Sequence, residues 1–115
     1  MTYQLVWTKI AEEQYNLLRT GAKSARDNRE VKGISKASKP EGLFKQIAKA
    51  LNFLQENPRH PGLNTHEYHS LPHPYKPNDK VFEAYVQNKT PGAYRIFWCY
   101  GPQPSQLTII AIGTL

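Results

Sequence analysis

Three stretches near the end of the chain decide the fold: KVFEAYVQ at residues 80–87, AYRIFWCYG at residues 93–101 and QLTIIAIG at residues 106–113. Each is rich in β-branched and aromatic side chains, which favour strands. The segments between them, NKTPG and PQPS, are turn-like and can join only antiparallel neighbours. The three stretches therefore predict an antiparallel meander.

The chain before the meander predicts one strand and two helices. Residues 3–8, YQLVWT, alternate and favour a strand, and Thr8 can cap a first helix after it. Residues 41–58, EGLFKQIAKALNFLQENP, place large apolar side chains at helical spacing, so they predict a second helix that Asn57 and Pro58 end. The side chains expected to face the core are Ile10, Leu17 and Leu18 in the first helix and Leu43, Phe44, Ile47, Leu51 and Leu54 in the second.

Residues 58–79 separate the second helix from the meander and carry five of the nine prolines and all four histidines. We expect a long irregular connection that can include one turn of order, and long connections of this kind often carry function. The predicted order is thus strand, helix, helix and three strands. This order indicates a single α+β domain over residues 1–115, with both helices on one face of the sheet.

Composition narrows the class of protein. A chain of 115 residues has room for one core. Its 15 basic and 9 acidic residues give a net charge of +6, which favours polyanionic partners. The single cysteine, Cys99, excludes an internal disulfide and is expected in the core. Without a membrane-length apolar run or a signal-peptide pattern, the sequence favours a soluble cytoplasmic protein.

Seven basic residues lie between residues 19 and 40, in a stretch with few large apolar side chains. We expect a solvated arm or an extension of the first helix. On a continuous helix, intervals of three and four would form a basic stripe that suits a phosphate backbone. A merely solvated helix face is the alternative, and Gly21 and Gly33 argue against continuity. The stripe consists of Arg19, Lys23, Arg26, Arg29, Lys32, Lys36 and Lys39, and Lys80 is a further expected nucleic-acid contact.

A guanidinium stands in the otherwise apolar strand around Arg95. A buried unpaired charge is costly, so Arg95 must be paired, face solvent or await an anionic ligand. Alternation in the preceding strand puts Glu83 and Tyr85 on the face away from the helices, where a hairpin partner would place Arg95 beside them. A cross-strand salt bridge between Glu83 and Arg95 is the structural alternative to a functional site. The face toward the helices is expected to carry Phe82, Ala84 and Val86.

The histidines of the connection allow two readings. His66, His69 and His73 have the spacing H-x2-H-x3-H, but a proline-flanked loop without paired cysteines or a helix does not resemble the usual zinc sites, so no metal is expected. A histidine beside an open basic face is better suited to carry protons. A hydrogen bond within the loop is the alternative role for His66 and for His69.

The chain resembles the RelE/ParE superfamily, the toxins of type II toxin–antitoxin systems. The resemblance rests on the order of elements over nearly the whole chain, on GLNTHEYHSL at residues 62–71, on KVFEAYVQ, and above all on TPGAYRIFWCYGP at residues 90–102 followed by LTIIAIG. It implies a RelE-like fold, with two helices packed on one face of a small, strongly curved and mostly antiparallel sheet.

The resemblance also implies an activity. RelE-like members cut mRNA on the ribosome without a metal or cofactor, and Arg95 matches the arginine that they aim at the scissile phosphate. The expected reaction is attack of an RNA 2′-hydroxyl on its adjacent phosphate, with Glu83 or His66 accepting the proton. Tyr85 would stack on or orient a base, and His69 would protonate the leaving oxygen. Glu83 and Tyr85 depart from the lysines of the best-known ribosome-dependent members.

Partners and rival functions follow from the same resemblance. The expected partners are a cognate antitoxin, mRNA and the ribosome, with operator DNA bound through the antitoxin. RelE-like toxins usually continue past the last strand with an arginine, tyrosine or histidine, whereas this chain stops at IGTL, so it is either shortened or altered there or must work with its remaining side chains. The alternatives are a ParE-like poison of DNA gyrase and an inactive relative that acts as a binding protein.

Overall fold

The computed structural model describes residues 2–87 and 92–114. Its elements are β1 (Gln4–Trp7), α1 (Lys9–Val31), α2 (Lys39–Glu56), a 3-10 turn (Pro61–Leu63), β2 (His66–Tyr68), β3 (Val81–Tyr85), β4 (Arg95–Tyr100) and β5 (Gln106–Gly113). The strands form one sheet in the order β1-β5-β4-β3-β2. β1 is parallel to β5, and all other neighbours are antiparallel. The predicted turn NKTPG, except its last residue Gly92, and the chain end at Leu115 lie outside the described residues.

The α+β class and the predicted order of strands and helices are confirmed, and the connection at residues 58–79 is where the prediction was wrong. This segment contains the 3-10 turn and also β2, which pairs with β3 at the edge of the sheet. β2 is only three residues long, HEY, and mostly exposed. Such a strand has no apolar alternation, so its sequence could not distinguish it from a loop.

Helix α1 packs on the sheet through small side chains. Thr8 caps the helix as predicted, because its Oγ1 accepts from the Ala11 amide at 3.1 Å. The core-facing stripe is Ala11, Tyr15, Leu18 and Ala22. The prediction that Ile10 and Leu17 face the core was wrong, since they are 61% and 74% exposed. Both lie one position before a member of the stripe, about 100° round the helix.

The predicted basic stripe is not one continuous helix. α1 ends at Val31, and Gly33 then takes a φ of 69°, a left-handed conformation that glycine adopts readily. Lys32 and Lys36 therefore lie in the connection, and Lys39 begins α2. The first helix therefore extends to Val31, and the seven basic residues do not share one helix.

The core lies between the helices and one face of the sheet. The predicted α2 residues Ile47, Leu51 and Leu54 are buried there, while Leu43 packs at the margin of the core and Phe44 packs against Tyr15. The second helix ends at Glu56 with Asn57 as its C-cap, as predicted. Sheet residues that complete this core are Ala84, Ile96, Trp98, Leu107, Ile109 and Ile112.

The second half of the long connection covers part of the opposite sheet face. The Tyr75 hydroxyl lies 2.9 Å from Thr108 Oγ1 on β5, and His73 bonds to the Tyr100 carbonyl on β4. Cys99 is buried, as predicted, and burial raises the pKa of its thiol to about 11. Among the helices of the described residues, none is both long and apolar enough to cross a membrane.

Candidate active site

Strand register gathers four of the five predicted catalytic side chains on the sheet face away from the helices. Tyr85 on β3 is directly opposite Arg95 on β4. Glu83 is opposite Phe97 on one side and His66 of β2 on the other. Directly opposed residues point to the same face of a sheet, so these side chains form one surface across β2, β3 and β4.

Arg95 is paired with Glu83. Its Nη1 donates to Glu83 Oε2 at 2.8 Å, and the two side chains are only 16% and 11% exposed. The guanidinium carbon also lies 5.6 Å from the ring centre of Tyr85 and 5.9 Å from that of Phe97. Two aromatic rings and one carboxylate therefore hold the guanidinium in place, and this neutralises the charge in an otherwise apolar strand.

Tyr85 links this ion pair to the edge of the sheet. Its hydroxyl lies 3.5 Å from Glu83 Oε1, and its ring meets the His66 ring edge-on, with centroids 6.1 Å apart. His66 is exposed on the edge strand. One end of the cluster is therefore the shielded ion pair of Arg95 and Glu83, and the other end is the accessible imidazole of His66.

His69 and His73 lie apart from this cluster. The His69 side chain is 81% exposed, and its Nδ1 lies 4.0 Å from Glu67. His73 is buried, and its Nδ1 accepts from the amides of Tyr75 and Lys76 at 3.1 and 3.0 Å. In the neutral ring Nε2 then carries the proton and donates to the Tyr100 carbonyl. No group of three His, Cys, Asp or Glu side chains in the described ranges is arranged to hold a metal ion.

Some of the residues predicted to contact nucleic acid are accessible, whereas Arg29 is bound to another side chain. Arg19, Lys23 and Arg26 line a shallow cavity of about 470 Å³ between the helices, and Lys80 is exposed just before β3. Arg29 is engaged elsewhere, because its Nε donates to Glu41 at 2.7 Å. This hydrogen bond raises the pKa of Arg29 and is the main cause that lowers the pKa of Glu41 to about 2.

Phe97 is a site residue that the sequence reasoning missed. It is buried, its ring packs against Tyr68 with centroids 4.8 Å apart, and it forms one wall of the guanidinium position. Its place two residues after Arg95 on the same strand is a signal that could have found it, since strand residues at this interval share a face.

The arrangement places the Arg95 guanidinium where it can bind an anion. A guanidinium has five N–H donors in a planar fork, so it can bind phosphate oxygens while one donor remains on Glu83. The rings of Tyr85 and Phe97 lie close enough to the guanidinium for cation–π contacts. Glu83 and His66 are the groups of the cluster whose chemistry allows them to accept a proton, and Tyr85 contacts both side chains.

Comparison with known proteins identifies the fold. No protein-family model and no curated protein sequence matches the chain. Among solved structures, it is similar to a chain of the crystal structure of the archaeal RelE–RelB complex from Pyrococcus horikoshii OT3, with 11% identity and a TM-score of 0.57 over 99% of this chain and 96% of that chain. It is equally similar to the YoeB dimer from Staphylococcus aureus, with 11% identity and a TM-score of 0.57 over 100% of this chain and 99% of that chain.

The similarity extends over the whole domain, so the chain has the fold of these two proteins. The RelE-like fold that the resemblance implied is therefore confirmed. Function has to be argued from the site, because one fold can host unrelated activities.

Proposed function

We propose that the chain is the toxin of a bacterial type II toxin–antitoxin pair and acts as an mRNA endoribonuclease that inhibits translation. The observation that carries the proposal is the cluster of Arg95, Glu83, Tyr85 and His66 on one sheet face of a RelE-like fold. A toxin, RelE, and its complex with RelB appear among the similar structures, which supports a toxin with a protein antitoxin.

The proposed reaction uses a nucleophile that the substrate already contains. The RNA 2′-oxygen forms a bond to its adjacent phosphorus while the bond to the 5′-oxygen of the next nucleotide breaks. The products are a 2′,3′-cyclic phosphate and a free 5′-hydroxyl. Because nucleophile and phosphate are on one chain, positioning and charge stabilisation supply most of the catalysis, and the reaction needs no metal or cofactor.

Arg95 is the proposed stabiliser of the phosphate. Negative charge grows on the phosphate oxygens as the 2′-oxygen attacks, and a guanidinium at that point offsets it. An arginine side chain does not serve as a base in proteins, so the base has to be another group of the cluster. In the free protein Glu83 occupies the fork at 2.8 Å, so the incoming phosphate shares or displaces this carboxylate.

His66 and Glu83 are the proposed proton acceptors for the 2′-hydroxyl. His66 is the accessible one, and an imidazole can both take and return a proton near neutral pH. Tyr85 lies between them and is suited to stack on or orient a base. His69 is the proposed donor of a proton to the leaving 5′-oxygen, and its side chain is 81% exposed, with Nδ1 4.0 Å from Glu67.

The alternative function is that of an inactive relative that acts as a binding protein. The Arg95–Glu83 pair is shielded and complete without any ligand, as a purely structural cross-strand ion pair would be. In that case the charge of +6 would serve binding alone, to nucleic acid or to an acidic protein. Gyrase inhibition of the ParE type would likewise leave RNA uncut.

The proposed ribonuclease function is tested by the chemical groups at the ends of the RNA products. The purified protein is incubated with mRNA in the presence and absence of ribosomes, and new ends are mapped. The proposal expects 2′,3′-cyclic phosphates and 5′-hydroxyls, together with arrest of translation. Arrest of DNA supercoiling with intact RNA would assign the protein to the gyrase-poison class instead, and intact RNA with normal supercoiling would assign it to the binding class.

The proposed antitoxin has its own test. A basic toxin is neutralised most directly when an acidic and apolar segment covers its charged surface. Co-expression with a small neighbouring gene should give a complex that survives purification and relieves growth arrest. Operator DNA should then bind to the complex and not to the toxin alone. Failure of any small neighbouring product to co-purify would contradict this part of the proposal.

A further inference from the structure

A cavity lies on the other face of the sheet, at the edge formed by β2 and β3. It has a volume of about 520 Å³, within the range of small-molecule sites. One wall is aromatic and consists of Phe82, Trp98 and Tyr100. Alternation places these three side chains on the face opposite Glu83 and Phe97. His66 lines the cavity and also contacts Tyr85, so this residue stands between the cavity and the cluster around Arg95.

Two buried polar atoms at this cavity lack a partner. Trp98 is 1% exposed, and its Nε1 has no hydrogen-bond partner among the described residues. Thr65 Oγ1 is buried and unpartnered in the same way, and both residues line the cavity. Buried polar groups are nearly always satisfied, so two exceptions at one cavity call for an explanation. One donor and one hydroxyl, which can donate or accept, are the groups that a ligand would satisfy there.

The three rings of the aromatic wall pack closely against one another. Phe82 and Trp98 stack with centroids 4.9 Å apart, and Tyr100 meets the Trp98 ring edge-on at 5.0 Å. Tyr100 remains 39% exposed, which leaves a ring available for stacking. None of the described residues that line the cavity is acidic, and Arg59 adds a positive charge at its margin. This combination suits a flat polar ring attached to an anion.

His60, which lines the cavity, is held by contacts within the protein. His60 Nδ1 accepts from the Gly62 amide at 2.9 Å, and its ring stacks on Phe53 with centroids 3.8 Å apart. A Cβ at residue 62 would lie 3.0 Å from His60 Nδ1 and 3.3 Å from the Phe53 ring, so a side chain there would have to push these rings aside by a few tenths of an ångström. In the neutral ring the His60 proton is then on Nε2, which provides a further donor beside Arg59.

We propose that this cavity binds a flanking base of the same single-stranded RNA that the cluster around Arg95 cleaves. The base stacks on the Tyr100 side of the aromatic wall and its edge satisfies Trp98 Nε1 and Thr65 Oγ1, while Arg59 contacts the adjoining phosphate. The strand passes from one face to the other over β2, beside His66. The inference rests on the proposed ribonuclease function for its substrate, and it adds a separate site with its own residues.

The experiment measures binding without cleavage. The protein contains two tryptophans, so Trp7→Phe leaves Trp98 as the only indole. In that background, 2′-O-methyl hexaadenylate, which lacks a free 2′-hydroxyl and cannot be cut, should quench Trp98 fluorescence in a saturable manner. Thr65→Val should weaken this binding about tenfold, or about 1.4 kcal/mol, and should also raise the melting temperature, because it removes an unsatisfied hydroxyl.

Matched variants distinguish binding in the cavity from a general effect of the protein's positive charge on RNA binding. Arg59→Gln should weaken the fluorescence-detected binding, whereas Lys9→Gln, which removes the same charge from an exposed position at the start of α1, should leave it unchanged. Arg95→Ala should keep the amplitude of the quench, because Arg95 lies on the other face. If hexaadenylate quenches Trp98 fluorescence in Arg95→Ala while the parent protein does not cleave RNA, the ribonuclease function is rejected. Binding of RNA in the cavity is still supported in that case.

Three results would overturn the inference. One is an unchanged Trp98 signal at saturating hexaadenylate. Another is a Thr65→Val variant that binds as tightly as the parent. The third is a signal from free adenosine monophosphate with none from the oligonucleotide, which would make the cavity a site for a free nucleotide.

Discussion

At the scale of single residues, the centre of the site is Arg95, whose Nη1 donates to Glu83 Oε2 at 2.8 Å. The apolar run around it and the alternation of β3 were enough to place Glu83, Tyr85 and Arg95 on one face, and the structure has this arrangement. The sequence left open whether the guanidinium was paired. That depends on the register between β3 and β4, which decides that Arg95 lies opposite Tyr85 and within 2.8 Å of Glu83. Phe97 and His66 join the site through the same register.

A double-mutant cycle measures this pair. Arg95→Ala should lower the free energy of unfolding by about 1–3 kcal/mol, because Glu83 is then left shielded and unpaired. Adding Glu83→Gln should restore part of the loss, since the orphaned charge is removed. Urea unfolding of the parent, both single variants and the double variant gives the coupling. Strictly additive losses would show that the pair contributes nothing to stability.

At the scale of elements, the connection between α1 and α2 is held by an ion pair that sequence did not predict. Ser38 and Glu41 have the spacing of a capping box, and Glu41 Oε2 accepts from the Ser38 amide at 2.8 Å. Arg29 was expected to face a phosphate backbone, yet it binds Glu41 and also reaches the carbonyl of Ile34. No local pattern links residues 29 and 41, because the turn at Gly33 brings them together only in the folded chain.

The pH dependence of stability tests this ion pair. The pKa of Glu41 is lowered from 4.5 to about 2, mainly by the hydrogen bond from Arg29. The folded state therefore holds the carboxylate more strongly than the unfolded state does. The stabilisation is fully present above pH 4.5 and is lost as the pH falls through about 2. The stability difference between the parent and Glu41→Gln should be largest near neutral pH and should shrink between these two values.

The exposed Glu13 supplies the control for this measurement. Glu13→Gln should give a small difference from the parent with no matching loss in the same pH window. If the difference between the parent and Glu41→Gln stays constant from neutral pH to pH 2, the carboxylate is not the group that stabilises the connection.

At the scale of the whole molecule, the net charge of +6 suggests polyanionic partners, whereas the order of the elements indicates the fold. Element order was predictable because the apolar periods of α2 and of the three meander strands are clear. The edge strand β2 was not, since three polar-flanked residues acquire strand structure only by pairing with β3. The exposed Ile10 and Leu17 were misassigned because small side chains, Ala11 and Ala22, bring α1 close to the core.

The accessible basic residues should set the salt dependence of RNA binding. Replacing Lys23, Arg26 and Lys32 with Ala should make the plot of log affinity against log salt less steep, by about 0.7 for each phosphate of single-stranded RNA that the variant no longer neutralises. Arg29→Ala should instead mainly lower stability, because Arg29 is paired with Glu41. Binding titrations at several salt concentrations decide this, and an unchanged slope in the triple variant would make these residues a solvated surface only.

The most direct test of the proposed ribonuclease is the rate at which Arg95→Ala cuts bound mRNA in a single turnover, with its melting curve as the control for folding. Loss of one preorganised charge donor should cost about 2–4 kcal/mol of transition-state stabilisation, and Arg95→Lys should recover only part of it because the planar fork is gone. The expected result is therefore a folded variant that binds RNA and cleaves it far more slowly than the parent. A folded Arg95→Ala that cleaves mRNA and arrests translation as fast as the parent would contradict the proposed role of this arginine.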